Sequence, residues 1–312
     1  MVTETAVHPD IAAVRTSLTS VKETRGMKVF RFFNISALLL LVATILYPFI
    51  NMVAMSFSSS GAIVAGQVNF FPVGFNMDTI SAVLQDSWFW VAYRNTLVVT
   101  VAGTIWAMAL TTTFAYAVSR KHLAFRNFYI GIAVFTMFFG GGIIPNFIMV
   151  GQVLGWRNNL LALIVPGGLS VFNFLVMKSF FENFPVELEE AAAIDGLTQW
   201  GVFFKIVLPL SKAILATMTL FYAVGFWNSW FGAMMFMDTR DNWPIMLYLR
   251  NIIAGVHSSN DIVADTMGAE VAQIGRNVQS VAMLLTTLPI VMVYPFVQKY
   301  FVSGVMLGSV KG

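Results

Sequence analysis

Apolar residues along this chain gather into six long runs that polar stretches separate, and no Asp or Glu lies within any run. Each run holds about 20 residues or more, the length that a helix needs to cross the hydrocarbon of a membrane. The pattern predicts an all-α, polytopic membrane protein with six transmembrane helices. The predicted helices cover residues 32–57, 91–119, 128–153, 160–180, 202–236 and 280–298.

The composition supports this class. The chain is 58% hydrophobic and 11% charged, whereas soluble domains are about 25% charged. A net charge of +3 on 312 residues does not indicate a nucleic-acid partner. The chain has no cysteine, so it forms no disulfide. Its three histidines, His8, His122 and His257, are scattered, so we expect no metal site.

The positive charges predict the orientation in the membrane. Six crossings place both termini on one side, and that side holds 13 of the 18 Lys and Arg residues. Because Lys and Arg concentrate on the cytoplasmic side, both termini are predicted to be cytoplasmic in a multi-pass protein of the cytoplasmic membrane. We expect a cytoplasmic tail over residues 1–29, a membrane domain over 30–302 and a second tail over 303–312.

Residues 182–209 form a charged loop between the fourth and fifth runs. Pro185 can open a helix, since its missing N–H would have no partner there. Acids follow in the first turn, where the helix dipole favours them, and Gly196 suits a left-handed helix end. The sequence predicts a helix of about eleven residues, then a second helix from about residue 199 that Pro209 kinks.

This loop resembles the EAA loop of binding-protein-dependent ABC importer permeases, whose pattern is E-A-A, two residues, D-G, about nine residues and I-x-L-P. The resemblance implies a cytoplasmic coupling helix that docks into a groove on an ATPase subunit. An ordinary solvated loop between two helices is the alternative. The coupling residues that the resemblance implies are Glu190, Ala191, Ala192, Asp195, Gly196, Leu208 and Pro209.

Three further stretches, GGGIIPNF, WNSWF and the C-terminal QKYFVSGVMLGSVKG, are similar to those of MalG-like carbohydrate permeases. Within that family GGGIIPNF and WNSWF, together with EEAAAIDG of the charged loop, resemble a complex-saccharide subgroup that includes aldouronate, alginate-type and Lpl-type permeases. The resemblance implies a permease that moves a sugar or oligosaccharide, uronate-containing saccharides included.

The resemblance also implies a set of partners. These are a homologous second permease subunit, two ATPase subunits, an extracytoplasmic solute-binding protein, membrane lipid and a saccharide substrate. The chain has no G-x-x-x-x-G-K-[ST] loop for ATP. We therefore expect no enzyme activity and no cofactor on this chain, with ATP and Mg on the partner ATPase.

Two other functions stay open from the residues. An ion-coupled secondary transporter would work without an ATPase, but such carriers usually hold ionisable groups within the membrane. An ABC permease for a peptide, an amino acid or phosphate would have the same kind of partners and another cargo.

Aromatic and amide side chains in the membrane runs are candidates for the substrate path, because aromatic rings stack on sugar rings and amides bind hydroxyls. For the aromatic residues the alternative is an interfacial belt, and for the amides it is hydrogen bonding between helices. Gly140, Gly141 and Gly142 with Pro145 indicate either tight packing or a flexible point beside the path. The candidates are Asn228, Trp227, Trp230, Tyr222, Asn173 and Asn146.

Overall fold

The computed structural model describes residues 24–263, 275–293 and 295, and these residues form helices and no strand. The chain divides into two compact units, residues 1–51 and residues 52–312. The described residues of the first unit belong to helix α1, Arg25–Ser56, which contains Pro48. Residues 25–29, expected in the tail, are thus helical, while residues 1–23 and the predicted tail 303–312 lie outside the described residues.

The second unit consists of thirteen described helices, several of them short. In chain order they are α2 Ser60–Val64, α3 Asp78–Gln85, α4 Ser87–Ser119, α5 Arg126–Phe138, α6 Ile143–Phe147 (continued by a π-helical turn, Ile148–Val153), α7 Leu161–Ile164 (followed by the 3-10 turn Pro166–Gly168), α8 Val171–Glu182, α9 Val186–Ile194, α10 Gln199–Leu210, α11 Lys212–Trp227, α12 Trp230–Phe236, α13 Ile245–Val263 and α14 Gly275–Val293.

Three of the helices, α1, α4 and α14, are long and apolar enough to cross a membrane. Three bent pairs would raise the number of crossings to six if each pair is one span: α5 with α6 at 110°, α7 with α8 at 41°, and α10 with α11 at 83°. The six predicted runs thus coincide with three long helices and three broken ones. The breaks fall beside Gly or Pro residues that weaken the helix, at residues 139–142, after Gly168 and after Pro209.

The polar stretch after residue 236 departs from the sequence interpretation. The sequence predicts no helix between the runs 202–236 and 280–298, but Ile245–Val263 is the helix α13. The side chains of Ile245, Leu247 and Tyr248 are buried. The start of α13 is fastened to α4, because the Ile245 amide donates to Thr96 Oγ1 at 2.7 Å and Asn95 Nδ2 donates to the Asp241 carbonyl at 2.7 Å.

Helix α4 lies at the centre of this unit and packs against α8 and α11. Its buried residues recur every three or four positions, which places them on the faces turned toward these neighbours. Most of them are small, so neighbouring helices can approach closely. The small buried residues of α4 are Ala92, Asn95, Thr96, Val99, Gly103, Thr104, Ala107, Thr111, Thr112, Ala115, Val118 and Ser119.

The ring of Phe226 in α11, which is 8% exposed, packs closely against Gly103 of α4 and against Gly167 in the turn before α8. A Cβ built on Gly103 of α4 would lie 2.7 Å from the ring, and a Cβ on Gly167 would lie 2.8 Å from it. Both distances are below any normal carbon–carbon contact, so neither position has room for a side chain.

A loop contact holds α12 against the turn before α7. The Asn158 amide donates to the Phe236 carbonyl at 2.7 Å, and Asn158 Oδ1 accepts the amides of Asp238 and Thr239 at 3.2 Å. Arg157 forms a bidentate ion pair with Asp238 at 2.8 and 3.1 Å. The hydrogen bonds that Arg157 donates to the Asp238 carboxylate, together with its negative charge, raise the pKa of the guanidinium. These contacts fix the position of α12, which forms part of the cavity described below.

We expect Gly103→Ala to destabilise the fold by about 1–3 kcal/mol, the usual cost of overpacking a well-packed core. Thermal unfolding of the purified protein in detergent should show a lower midpoint. Gly131→Ala is the matched control, because a Cβ at Gly131 meets nothing within 4 Å and alanine favours the helix. Phe226→Leu, added to Gly103→Ala, should recover part of the loss. Equal midpoints for the Gly103 and Gly131 variants would contradict the close approach.

Candidate functional site

A cavity of about 770 Å³ lies where α6, α7, α8, α11 and α12 meet. Ligand cavities in proteins usually measure about 300–1,000 Å³. The walls are largely apolar and include the rings of Phe221, Phe226, Phe231 and Phe236, and none of the lining residues is charged. The polar side chains in its lining are Asn146, Ser170, Asn173, Tyr222 and Ser229.

The Tyr222 hydroxyl joins three parts of the cavity wall. It accepts a hydrogen bond from the Ser170 amide at 2.9 Å. Its own proton is therefore available to Thr111 Oγ1, which lies 2.6 Å away in α4. The buried hydroxyl thus links α4, the start of α8 and α11, and the remainder of the Tyr222 side chain lines the cavity.

Two amide side chains reach the cavity without a protein partner. Asn173 lies in the first turn of α8, is 5% exposed and lines the cavity. Asn146 lies in α6, is exposed and lines the same cavity. Within the described part of the chain, neither amide group makes a hydrogen bond, so both can donate to and accept from a ligand.

The structure places the remaining candidates elsewhere. Trp227 is buried among Phe89, Ile245 and Val281, and Tyr93 packs edge-on to it at 5.8 Å. Asn228 ends α11 and donates to the Val224 carbonyl at 2.9 Å. Trp230 is 41% exposed. Of the six substrate-path candidates, the cavity brings together Tyr222, Asn173 and Asn146 and does not include these three.

Trp230 packs against a cation instead. The Arg250 guanidinium lies 5.0 Å from the centre of its ring. This contact joins α12 to α13 outside the cavity. A contact between Trp230 and a sugar stays a prediction.

The charged loop contains α9, a helix of nine residues that begins after Pro185 and ends at Ile194. Asp195 caps it, and Gly196 follows with a φ of +81°, a conformation that glycine adopts at little cost. Of the motif residues, Ala192 is buried, while Glu190 and Ala191 are exposed.

The predicted kink is present in α10 and α11. Leu208 and Pro209 lie in the last turn of α10. The helix direction changes by 83° across the break at Ser211. The bend therefore follows two residues after the proline.

Sequence reasoning missed the ion pair that fastens α9 to α4. Arg120, at the end of α4, binds Glu189 at 2.8 Å, with both side chains only 15% exposed. The guanidinium also lies 4.5 Å from the centre of the Tyr116 ring and donates to the Phe181 carbonyl at 3.2 Å. These contacts join α9 to the ends of α4 and α8.

A second ion pair binds α5 to α8. Arg126 pairs with Glu182, and Lys178 pairs with the same carboxylate at 2.8 Å. Arg126 Nε also donates to the Val118 carbonyl at 2.7 Å. The basic residues at the ends of the second and third apolar runs signal such pairs in the sequence, but only the fold shows which acid each one meets.

Comparison with known proteins agrees with this architecture. Residues 100–307 match the family described as "Binding-protein-dependent transport system inner membrane component". The chain is 37% identical to the polygalacturonan/rhamnogalacturonan transport system permease protein YtcP of Bacillus subtilis, over 88% of this chain and 96% of that protein. It is 36% identical to Protein LplC of Bacillus subtilis, over 94% of this chain and 98% of that one.

A solved structure is also similar. It is a crystal structure of a bacterial ABC transporter involved in the import of the acidic polysaccharide alginate. One of its chains superposes with a TM-score of 0.80 at 31% identity, covering 90% of this chain and 100% of that chain.

We expect Tyr222→Phe to destabilise the protein by about 1–3 kcal/mol, because the Ser170 amide would lose its acceptor in a buried setting. Thermal unfolding in detergent measures the change. Tyr129→Phe is the control, since no hydrogen bond to the Tyr129 hydroxyl is present within the described residues. Indistinguishable midpoints for the two variants would show that the Tyr222 hydroxyl does not hold the cavity wall.

Proposed function

This chain belongs to the family of binding-protein-dependent transport system inner membrane components, and on that premise we propose that it is one of two permease subunits of an ABC importer for oligosaccharides. The family's membrane component is a non-enzymatic permease subunit. Its transport system includes a solute-binding protein and an ATPase.

The chemistry of the cavity supports a saccharide as the cargo. Apolar rings suit the C–H faces of sugar rings, and the amides of Asn146 and Asn173 suit their hydroxyls. Two similar proteins are named for polygalacturonan/rhamnogalacturonan transport and for import of the acidic polysaccharide alginate. We therefore extend the proposal to uronate-containing oligosaccharides.

The proposed assembly follows the expectations from the sequence. The chain would cross the cytoplasmic membrane six times with both termini cytoplasmic, each bent pair counting as one crossing. A homologous permease would complete the path, two ATPase subunits would dock below it, and the binding protein would deliver cargo from outside. ATP and Mg would bind to the ATPase subunits.

Two alternative functions are an ion-coupled carrier and an ABC permease for another cargo. Membership of a binding-protein-dependent family argues against an ion-coupled carrier that works alone. An ABC permease for a peptide, an amino acid or phosphate shares the family. The permease named for polygalacturonan/rhamnogalacturonan transport and the transporter named for alginate import favour the saccharide over these cargoes.

The ion pairs around α9 support its role as the coupling helix. A displacement of α9 would pull on Arg120 through Glu189, and Arg120 follows the last turn of α4 directly. Thr111, which binds the Tyr222 hydroxyl of the cavity wall, lies nine residues earlier, or about 14 Å along the helix axis. A rigid helix would therefore carry motion from α9 to the cavity. Glu190, Ala191, Asp195 and Gly196 would face the ATPase.

The first test is purification of the tagged chain from its native membrane in mild detergent. We expect a homologous permease and an ATPase to co-purify, and ATP hydrolysis to rise when saccharide-loaded binding protein is added. A chain that purifies alone, folded and without ATPase activity, would overturn the proposal. Stimulation by a peptide or amino acid in place of the saccharide would assign the alternative cargo.

A charge swap tests the coupling path. We expect Arg120→Glu and Glu189→Arg each to lower saccharide uptake into proteoliposomes several-fold while ATP hydrolysis continues, because each variant leaves a partly buried charge without its partner. The double variant restores the pair and should restore most of the uptake. Equal uptake in all four proteins would contradict this path, as would a double variant no better than the worse single one.

A further inference from the structure

The N-terminal turn of α8 forms part of the cavity wall. Ser170, the N-cap of this twelve-residue helix, and Asn173, at its third position, both line the cavity. The first N–H groups of a helix have no partner within the helix. Here the backbone N–H of Asn173 donates to Ser170 Oγ at 3.4 Å. Within the described chain the backbone N–H groups of Val171 and Phe172 have no acceptor.

Asn173 gives independent evidence for a ligand at this place. Its side chain is 5% exposed, lines the cavity and makes no hydrogen bond within the described residues. A buried amide that is left without partners costs free energy, so native proteins nearly always satisfy such groups. The Tyr222 hydroxyl a short distance away shows the usual outcome, because it makes two hydrogen bonds. Asn173 is therefore available for a bound molecule.

We infer that Asn173 and the N-terminal turn of α8 form a subsite for the carboxylate of a uronate residue in the cargo. The inference rests on the proposed saccharide function and names the cargo group that this wall binds. A helix N-terminus carries a partial positive charge and free N–H donors, which favour anions. The Asn173 amide adds two N–H donors that can reach a carboxylate oxygen.

The neutrality of the cavity makes this arrangement suitable for transport. None of its lining residues is charged, so a carboxylate in it meets no fixed negative charge. It also meets no Lys or Arg, so recognition depends on amide donors and the helix dipole. Transport requires cargo to leave the site as well as to enter it, and these neutral donors bind a carboxylate more weakly than a bidentate arginine would.

The test compares the complete transporter, with its binding protein, in proteoliposomes on two probes. The first is trigalacturonate, and the second is the same trisaccharide with its carboxylates reduced to alcohols. Wild type and variants are assayed with the same binding protein. The ratio of variant to wild-type uptake for each probe therefore cancels the binding protein's own preference for that probe. Asn173→Asp adds a repelling charge, and Asn173→Leu removes the donors without adding charge. Asn127→Asp, the same change at an exposed first turn of α5, is the control.

We expect both Asn173 variants to lower trigalacturonate uptake about tenfold or more, as the loss of hydrogen bonds to a charged group predicts. Uptake of the reduced trisaccharide should change less than threefold, and Asn127→Asp should change neither. Equal losses for both probes, or no loss for either, would overturn the carboxylate subsite and leave the saccharide function standing. If the wild type took up the reduced trisaccharide but not trigalacturonate, the carboxylate subsite would likewise be overturned and the saccharide function would stand. Wild-type uptake of neither probe would overturn the proposed cargo together with the subsite.

Discussion

The close packing of α4, the turn after α7 and α11 around the Phe226 ring is the constraint on which the rest of the structure depends. The ring leaves no space for a side chain at Gly103 or at Gly167. Because α8 follows the Gly167 turn and α12 follows α11, the positions of both helices depend on the same contact. The cavity lies between these helices and α6. Its width therefore depends on the close packing at Gly103 and Gly167, although neither residue has a side chain that could bind cargo.

Polar groups at the cavity divide into those that hold the wall and those that face the empty space. Tyr222 belongs to the first kind, since its hydroxyl accepts from the Ser170 amide and shares a hydrogen bond with the Thr111 hydroxyl. Asn173 and Asn146 belong to the second kind, since their amides meet no partner within the described residues. In a low-dielectric interior an unpaired polar group is costly. This cost applies to the buried Asn173 and not to the exposed Asn146. The unpaired amide of Asn173 is therefore better explained by a ligand than by packing, which Tyr222 and the phenylalanines already provide.

Charge is distributed unevenly along α4. Near its C-terminal end, Arg120 and Tyr116 meet Glu189, and Arg126, Lys178 and Glu182 form a second group close by. Toward the middle of the helix the contacts are neutral, with Gly103 against Phe226 and Thr111 against Tyr222. This division follows from solvation, because ion pairs are tolerated at a membrane surface and are expensive within the hydrocarbon. One helix thus joins an ionic surface region to a neutral cavity.

The sequence by itself determined the class of this protein, because long apolar runs without Asp or Glu can satisfy their backbone in a membrane only as helices. It also determined the local features of the charged loop, where Pro185 precedes a helix start and Gly196 accepts a positive φ. Only the tertiary structure decided which aromatic residues face the cavity. Phe226 and Trp227 are adjacent, yet the first lines the cavity and the second packs against Phe89 and Ile245. Membrane helices are apolar on every face, so periodicity could not distinguish the two directions. The pairing of Arg120 with Glu189 could not be predicted from the sequence either. These partners are far apart in the sequence, and only the packing of α4, α8 and α9 brings them together.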